Sequence, residues 1–321
     1  MTATATPVQN QQWLRKANLI VSNKDIGLDL SEMHFTFKTS NEDEQSPSNA
    51  VIRVYNLQND TSENIEKEYN HVTLQAGYAG SYGIIFDGSI RQIGRGKENA
   101  TDKYLDILAA DGDPCYTLGV CNQTFAAGST PKMTHEAVIA AMNAINTNAL
   151  NRVKAGNAPE YTGGIMPRGK VLYGMAYDVE RKLANSQLMS WSIQNGKVQM
   201  IKLDGYLPGQ AVKLTSKTGM IGIPEQTEDG IRVRCLLNPK IVIGGQVQID
   251  NKSINQITKN AVANTFFNKY QGVQLLADTS NDGFYRVYVA EHSGDTRGQD
   301  WYTDIICLAI DPSSKTVLDF G

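Results

Sequence analysis

The two ends of this chain echo one another. Sliding the sequence by two hundred residues lays Gly83–Asp111 on Gly283–Asp311 without a gap. Gly83, Gly94, Leu108, Ala109 and Asp111 then meet Gly283, Gly294, Leu308, Ala309 and Asp311. The apolar register survives too, with Leu105 and Ile107 falling on Ile305 and Cys307. A second echo, at a smaller offset, sets IRVYNL from Ile52 against IRVRCLLN from Ile231. Two successive elements repeating in the same order point to a duplicated unit around something inserted. We therefore expect a mainly β chain with an α+β insertion: two barrel-like units flanking a small helix-plus-hairpin domain. The expected boundaries are 1–15 for a flexible N-terminal arm, 16–115 for the first barrel, 116–215 for the insertion and 216–321 for the second barrel.

Local patterns support this division. Met33, Phe35 and Phe37 alternate with polar residues, the period of a half-buried strand. The acidic stretch Asn41–Asn49 reads as a loop, and AVIRVYNL as the next strand. Asp60 and Glu63 have capping-box spacing and predict a short helix carrying Ile65 and Tyr69. HVTLQAGY, GIIFDGSIRQI and DKYLDILAAD read as strands, with the glycine-rich interval Gly77–Gly83 turning between the first two. In the middle, a capped helix from Thr134 would carry Val138, Ala141, Met142 and Ile145 on one face. A second helix would place Leu172, Met175, Val179 and Leu183 on one stripe. SWSIQ and KVQMI flank Asn195-Gly196, a strong hairpin signal because both turn residues need positive φ. Towards the end, GIRVRCLLN, GQVQID, GVQLLADT, GFYRVYVAEH and DWYTDIICLAID read as strands. Lys252–Tyr270 fits either a helix or a long loop.

A search for chemistry returns little. His135 and Glu136 open a helical stretch, but Ile139 stands where a zinc helix needs its second histidine. His34, His71 and His292 lie on or beside strands without a second ligand at metal spacing. Asp111-Gly112-Asp113 lacks the remaining oxygens of a calcium loop. GYAGSYG carries no Lys-Ser/Thr and opens no helix, so it is no phosphate loop. No G-x-S-x-G elbow occurs. Cys115, Cys121, Cys235 and Cys307 are too scattered for a disulfide framework and are expected as free thiols. We therefore assign no catalytic, metal or cofactor-binding residue, and expect no enzyme activity and no cofactor. With 33 acidic against 30 basic residues the net charge is −3, which offers no general grip on nucleic acid. No apolar run is long enough to span a membrane, so no membrane insertion is expected.

The loop Ser293–Asp300 with Trp301 carries residue types that dominate subunit contacts. Its first-half counterpart, GRGKENATD from Gly94, carries Arg95 and Lys97. Arg297, Trp301 and Arg95 are accordingly candidate subunit-interface residues. The alternative is a solvated hairpin tip with Trp301 tucked into its own barrel.

Three segments, in order, resemble the tail or baseplate hub proteins of tailed bacteriophages: SNAVIRVYNLQNDTSENI from Ser48, TGMIGIPEQTEDGIRVRCLLNPKIVIGGQVQID from Thr218, and GFYRVYVAEHSGDTRGQDWYTDIICLAID from Gly283. The resemblance implies duplicated tail-tube-like β-barrels and a homotrimeric ring. Three chains with two barrels each would present a pseudo-six-fold face to the tail tube and a three-fold face to the central spike. It further implies a place in the virion tail baseplate, contractile in type, after assembly in the host bacterial cytoplasm. Other baseplate or tape-measure proteins would be partners, and DNA would pass through the lumen without specific binding. Alternatives are the hub of a headless contractile injection particle (a tailocin), a tail-associated cell-wall hydrolase, or a carbohydrate-binding adhesin.

Overall fold

The computed structural model describes residues 13–42, 46–146, 148–162, 164–227, 229–250, 252, 254–256 and 283–310. The first third folds as alternating patterns require. Strands β1 (Arg15–Ser22), β2 (Gly27–Asp29), β3 (Phe35–Glu42) and β4 (Asn49–Tyr55) precede helix α1 (Asn59–Glu68). Strands β5 (His71–Tyr78), β6 (Ser81–Lys97) and β7 (Lys103–Ala110) follow. Their inward residues, among them Phe35, Ile52, Leu74, Leu105 and Ile107, bury one core together with Ile65 of α1. The capping box expected at Asp60 and Glu63 does not form: α1 starts at Asn59, and Gln58 before it makes no side-chain cap.

The middle block has its own core. It runs through α2 (Asp113–Leu118), β8 (Val120–Phe125), α3 (Pro131–Asn143), a short 3-10 turn (Ala149–Asn151), β9 (Lys154–Ala155) and β10 (Lys170–Met175). Helix α4 (Ala176–Ser186) and the hairpin β11 (Met189–Gln194) and β12 (Lys197–Lys202) complete it. α3 begins three residues before the expected Thr134, because Thr130 accepts from the Met133 N–H and Pro131 suits the first turn. Ile145 falls beyond the helix end and is exposed. Leu172 and Met175 are not helical: both lie on β10, and α4 starts after Gly174, whose φ of +128° belongs to no helix. The Asn195-Gly196 turn forms as expected, with φ of 50° and 70°.

The last third supplies β13 (Val212–Leu214), β14 (Met220–Gln226), β15 (Ile231–Leu236), β16 (Gln246–Ile249), β17 (Asn255–Gln256), β18 (Phe284–Asp295) and β19 (Trp301–Ala309). A third core gathers Ile231, Val233, Tyr285, Val287, Ile305 and Cys307. GVQLLADT, Asp311 and nearly all of Lys252–Tyr270 lie outside the described residues. All four cysteines are unpaired and buried.

The fold is mainly β with few helices, as the sequence implies. The two ends do not, however, stay apart as separate sheets. They share one 14-stranded sheet: twelve strands in the order β17-β14-β15-β19-β18-β3-β4-β7-β6-β5-β1-β2, with β16 branching from β18 and β13 pairing with β16. The joining strand is β18. Its start pairs with β16, and from Val289 to Asp295 it pairs antiparallel with β3. Both strands thereby satisfy backbone groups that an open edge would leave to water.

The repeat is visible in strand order, at a register different from the one the sequence suggests. β3-β4-β7-β6 in the first half matches β14-β15-β19-β18 in the second, and β5 and β16 each flank the start of the long strand. Asp106 stands opposite Arg53, and Asp304 opposite Arg234. Asp106 therefore corresponds to Asp304, and Tyr104 to Tyr302, two residues away from the ungapped echo. A two-residue slip keeps every side chain on its face, so the apolar pattern alone could not detect it.

Candidate functional site

The matched strands carry a matched set of side chains. Arg53 grips Asp106 with two hydrogen bonds, of 2.7 and 2.9 Å, and its guanidinium lies 3.9 Å from the Tyr104 ring centre. Arg234 grips Asp304 at 2.7 and 3.0 Å and lies 5.5 Å from the Tyr302 ring. Paired N–H donors meeting two carboxylate oxygens fix the arginine in one geometry, which a lysine could not do. Each half thus locks its two inner strands, β4 to β7 and β15 to β19, with the same cross-strand clamp.

The hairpin tip proposed from sequence as a contact is already in use inside the chain. Arg15 donates to the Gly298 and Gln299 carbonyls at 2.8 and 2.7 Å. His34 Nε2 meets Asp295 Oδ1 at 2.9 Å, and the Phe35 N–H donates to Thr296 Oγ1 at 3.0 Å. Burial works to raise the Asp295 pKa. The Arg297 and Gly298 N–H groups, together with His34, outweigh it and hold the carboxyl below its ordinary value. Arg297 is exposed and reaches the Glu32 carbonyl at 3.3 Å. Arg95 lies on β6, four strands across the sheet from β18, paired with Glu66 on α1. The structure does not bring Arg95 and Arg297 together.

Trp301 is not a surface residue. It is 1% exposed, packed edge-on against Phe37 at 5.4 Å, and donates from Nε1 to the Gly77 carbonyl. Arg15 covers it at 5.6 Å. It has no area left to bury against a neighbouring chain, so its part in any contact is to hold the tip from beneath. Alternation through Trp301, Thr303, Ile305 and Cys307 carried that signal, since all four are buried on one face.

A second polar centre joins the middle block to the first β unit. Asp111 is buried and accepts from the Gly196 N–H at 2.9 Å, at the tip of the β11–β12 hairpin. His71 bridges Asp87 (2.9 Å) and Asn151 (2.8 Å). Burial pushes the Asp111 carboxyl up to about 7, opposed by the Gly196 N–H and reinforced by the Asp87 charge. Burial also disfavours charge on His71, but Asp87 and Asn151 outweigh it and raise its pKa. Sequence reading excluded a calcium loop at Asp111 and gave it no other role, because its hydrogen-bond partner Gly196 lies far along the chain.

In the middle block, His135 is buried rather than set at a helix surface. Its Nδ1 lies 2.5 Å from Glu180 Oε1, beside a cleft of ≈600 Å³ that Tyr161 and Glu160 also line.

Comparison with known proteins places this geometry. A family model described as baseplate hub gp41 matches residues 197–266. No curated protein matches the chain by sequence. The 43 kDa tail protein of prophage MuSo2 from Shewanella oneidensis has a similar structure: 8% identity, TM-score 0.57, covering 92% of this chain and 99% of that one. The tail protein of Neisseria meningitidis MC58 matches at 9% identity and TM-score 0.54, over 92% and 96%. The E. coli c3393 protein matches at 8% identity and TM-score 0.51, over 87% and 74%. That protein is a component of the type VI secretion system with structural similarity to the T4 tail proteins gp27 and gp5. The fold is thus that of phage tail proteins. Within that class, the resemblance to the tail and baseplate hub family, read from three sequence segments, stands.

Proposed function

We propose that this chain is the structural hub of a phage tail baseplate. Three copies form a ring that joins the tail tube to the central spike and leaves a channel for DNA ejection. The observation that carries the reading is the duplication: the same strand order and the same arginine–aspartate–tyrosine clamp in both halves. A subunit with one repeated contact cannot match both a six-fold tube and a three-fold spike, whereas a duplicated chain can. On this reading, 16–115 and 216–321 are the two tube-like units and 116–215 is the insertion between them. Arg297 and Arg95, exposed near the hairpin ends, contribute to subunit contacts. The net charge of −3 suits a lumen through which DNA slides without being held. The tail tube, the spike and other baseplate or tape-measure proteins are the partners, in the virion baseplate, after assembly in the host cytoplasm.

The likeness to a type VI secretion component favours keeping a second reading, the hub of a headless contractile injection particle. Sedimentation of the purified chain tests the scaffold reading. A trimer without peptidoglycan-degrading activity is expected; a monomer that degrades peptidoglycan would replace the hub with a tail-borne hydrolase.

A further inference from the structure

We propose that the cleft beside His135 in the middle block binds a primary ammonium on an alkyl stem, the chemistry shared by a lysine side chain and a free alkylamine. The inference goes beyond the hub reading and does not depend on it.

Two helices build the floor of the cleft. α3 turns Pro131, Thr134, His135, Val138 and Met142 inward, and α4 turns Ala176, Glu180, Leu183 and Ala184. Such stripes are ordinarily apolar, yet each here supplies one ionisable group. Glu180 is fully buried and His135 is 3% exposed. Packing alone gives no reason for the pair, since apolar side chains of similar volume serve a core at least as well. His135 Nδ1 is taken by Glu180 Oε1 at 2.5 Å. In the tautomer that donates from Nδ1, Nε2 offers a lone pair. Neither Nε2 nor the second carboxylate oxygen, Glu180 Oε2, has a hydrogen-bond partner among the described residues. Both are then acceptors, and a buried acceptor without a donor is costly. A ligand that answers them brings N–H or O–H groups.

The cleft selects among donors. His135 forms part of its wall, around a volume of ≈600 Å³. Pro131, Ala158, Pro159 and Ile165 give it apolar sides, which suit an alkyl stem. Glu136 and Glu160 line it against one cation, Lys132, and all three are exposed. Lys132 bonds neither His135 Nε2 nor Glu180 Oε2. Tyr161 lines the same wall, its ring tilted against that of His135 with centroids 6.2 Å apart. Its hydroxyl donates to Met200 Sδ at 3.2 Å, and its ring face attracts a cation. Burial, followed by the charges of Glu180 and Glu136, pushes the Tyr161 pKa up, so both carboxylates act on this corner. A carboxylate or phosphate ligand would meet acceptors and like charge. An alcohol would bring one donor and no charge. An ammonium brings three donors and the opposite charge.

The test labels the histidine nitrogens of the full-length chain for magnetic resonance, which gives four rings. His135→Phe made together with Glu180→Leu identifies the His135 signal by its loss, and replacing both partners leaves no unpaired buried charge. Should that variant not fold, His34→Gln, His71→Gln and His292→Gln assign the signal by elimination. n-Butylammonium should shift the His135 Nε2 resonance with a dissociation constant on the order of 1 mM. Butyrate and n-butanol, at matched ionic strength, should leave it in place. Glu136→Gln and Glu160→Gln should each weaken binding about threefold, and Lys132→Ala should tighten it about threefold, since exposed charges act weakly. Two further probes read the source. Nα-acetyl-lysine N-methylamide binding at least as well as n-butylammonium assigns a lysine side chain of a partner protein. Binding of the free diamine putrescine without the lysine amide assigns a free amine. A His135 signal unmoved by n-butylammonium, or moved equally by butyrate or n-butanol, overturns the proposal. Affinity unchanged in all three charge variants overturns it as well. Sedimentation of the same samples reads the hub separately, so either reading can fail alone.

Discussion

Replacing Asp111 by asparagine should make the protein more stable above neutral pH and less sensitive to pH. The carboxyl lies under the β11–β12 hairpin tip and titrates at about 7 in the fold, against an ordinary value of 3.8. A pKa raised by folding means that the folded state holds the proton more tightly. The stabilisation is complete below about pH 4 and is lost as pH rises through about 7. The whole difference corresponds to about 4 kcal/mol. Relaxation around a buried ion recovers part of it, so about 2 kcal/mol should be lost between about pH 5 and about pH 8. Asparagine keeps an oxygen for the Gly196 N–H and cannot ionise. Urea unfolding of both proteins at those two pH values measures the effect. His71 adds a loss in the same direction, since its pKa is also raised, but it is present in both proteins. Part of the His71 rise comes from the Asp111 charge itself, so the difference between the two slopes reads Asp111 together with its coupling to His71. If Asp111→Asn loses as much stability towards pH 8 as the parent, the buried-carboxyl account is wrong.

Burial depresses the His292 pKa to about 4, so its contribution is present above 6.5 and lost as pH falls through 4. His292→Gln should flatten the acid limb of a thermal melt series by about 2 kcal/mol. Trp301→Ala empties the centre of the β3–β18 junction and should cost about 3–5 kcal/mol in chemical denaturation. Arg297→Ala, at an exposed tip, should change the melt by less than about 0.5 kcal/mol while lowering the sedimenting trimer fraction. Because all four cysteines are buried, alkylation followed by mass spectrometry should label the native chain slowly and add four labels once it unfolds.

Period-two alternation and the Asn195-Gly196 turn were enough to place most strands, because those signals act over a few residues. Leu172 and Met175 were misplaced because, with Val179 and Leu183, they also satisfy helical spacing. Gly174 was the warning, at the point where strand passes into helix. The sharing of one sheet by both ends could not be read, since an edge strand and a joining strand have the same side-chain pattern. What differs is which backbone groups find partners, and β18 finds them on β3. The clamps were half legible. Arg53 and Arg234 both sit in the echoed segments, but the smaller-offset echo of Ile52 on Ile231 set Arg53 against Arg232. Only the pairing with Asp106 and Asp304 fixes the correct partner. Asp111 and His71 act through the hairpin tip and Asn151, contacts made only when the middle block packs on the first β unit.

The central claim is that a duplicated chain converts three-fold into near-six-fold symmetry. Electron cryo-microscopy of the purified assembly tests it most directly. The account predicts three 35.2 kDa chains around an open channel, with three-fold symmetry and six similar β lobes facing one side. A ring of six chains, or a particle whose two β units sit at unrelated radii, would contradict it.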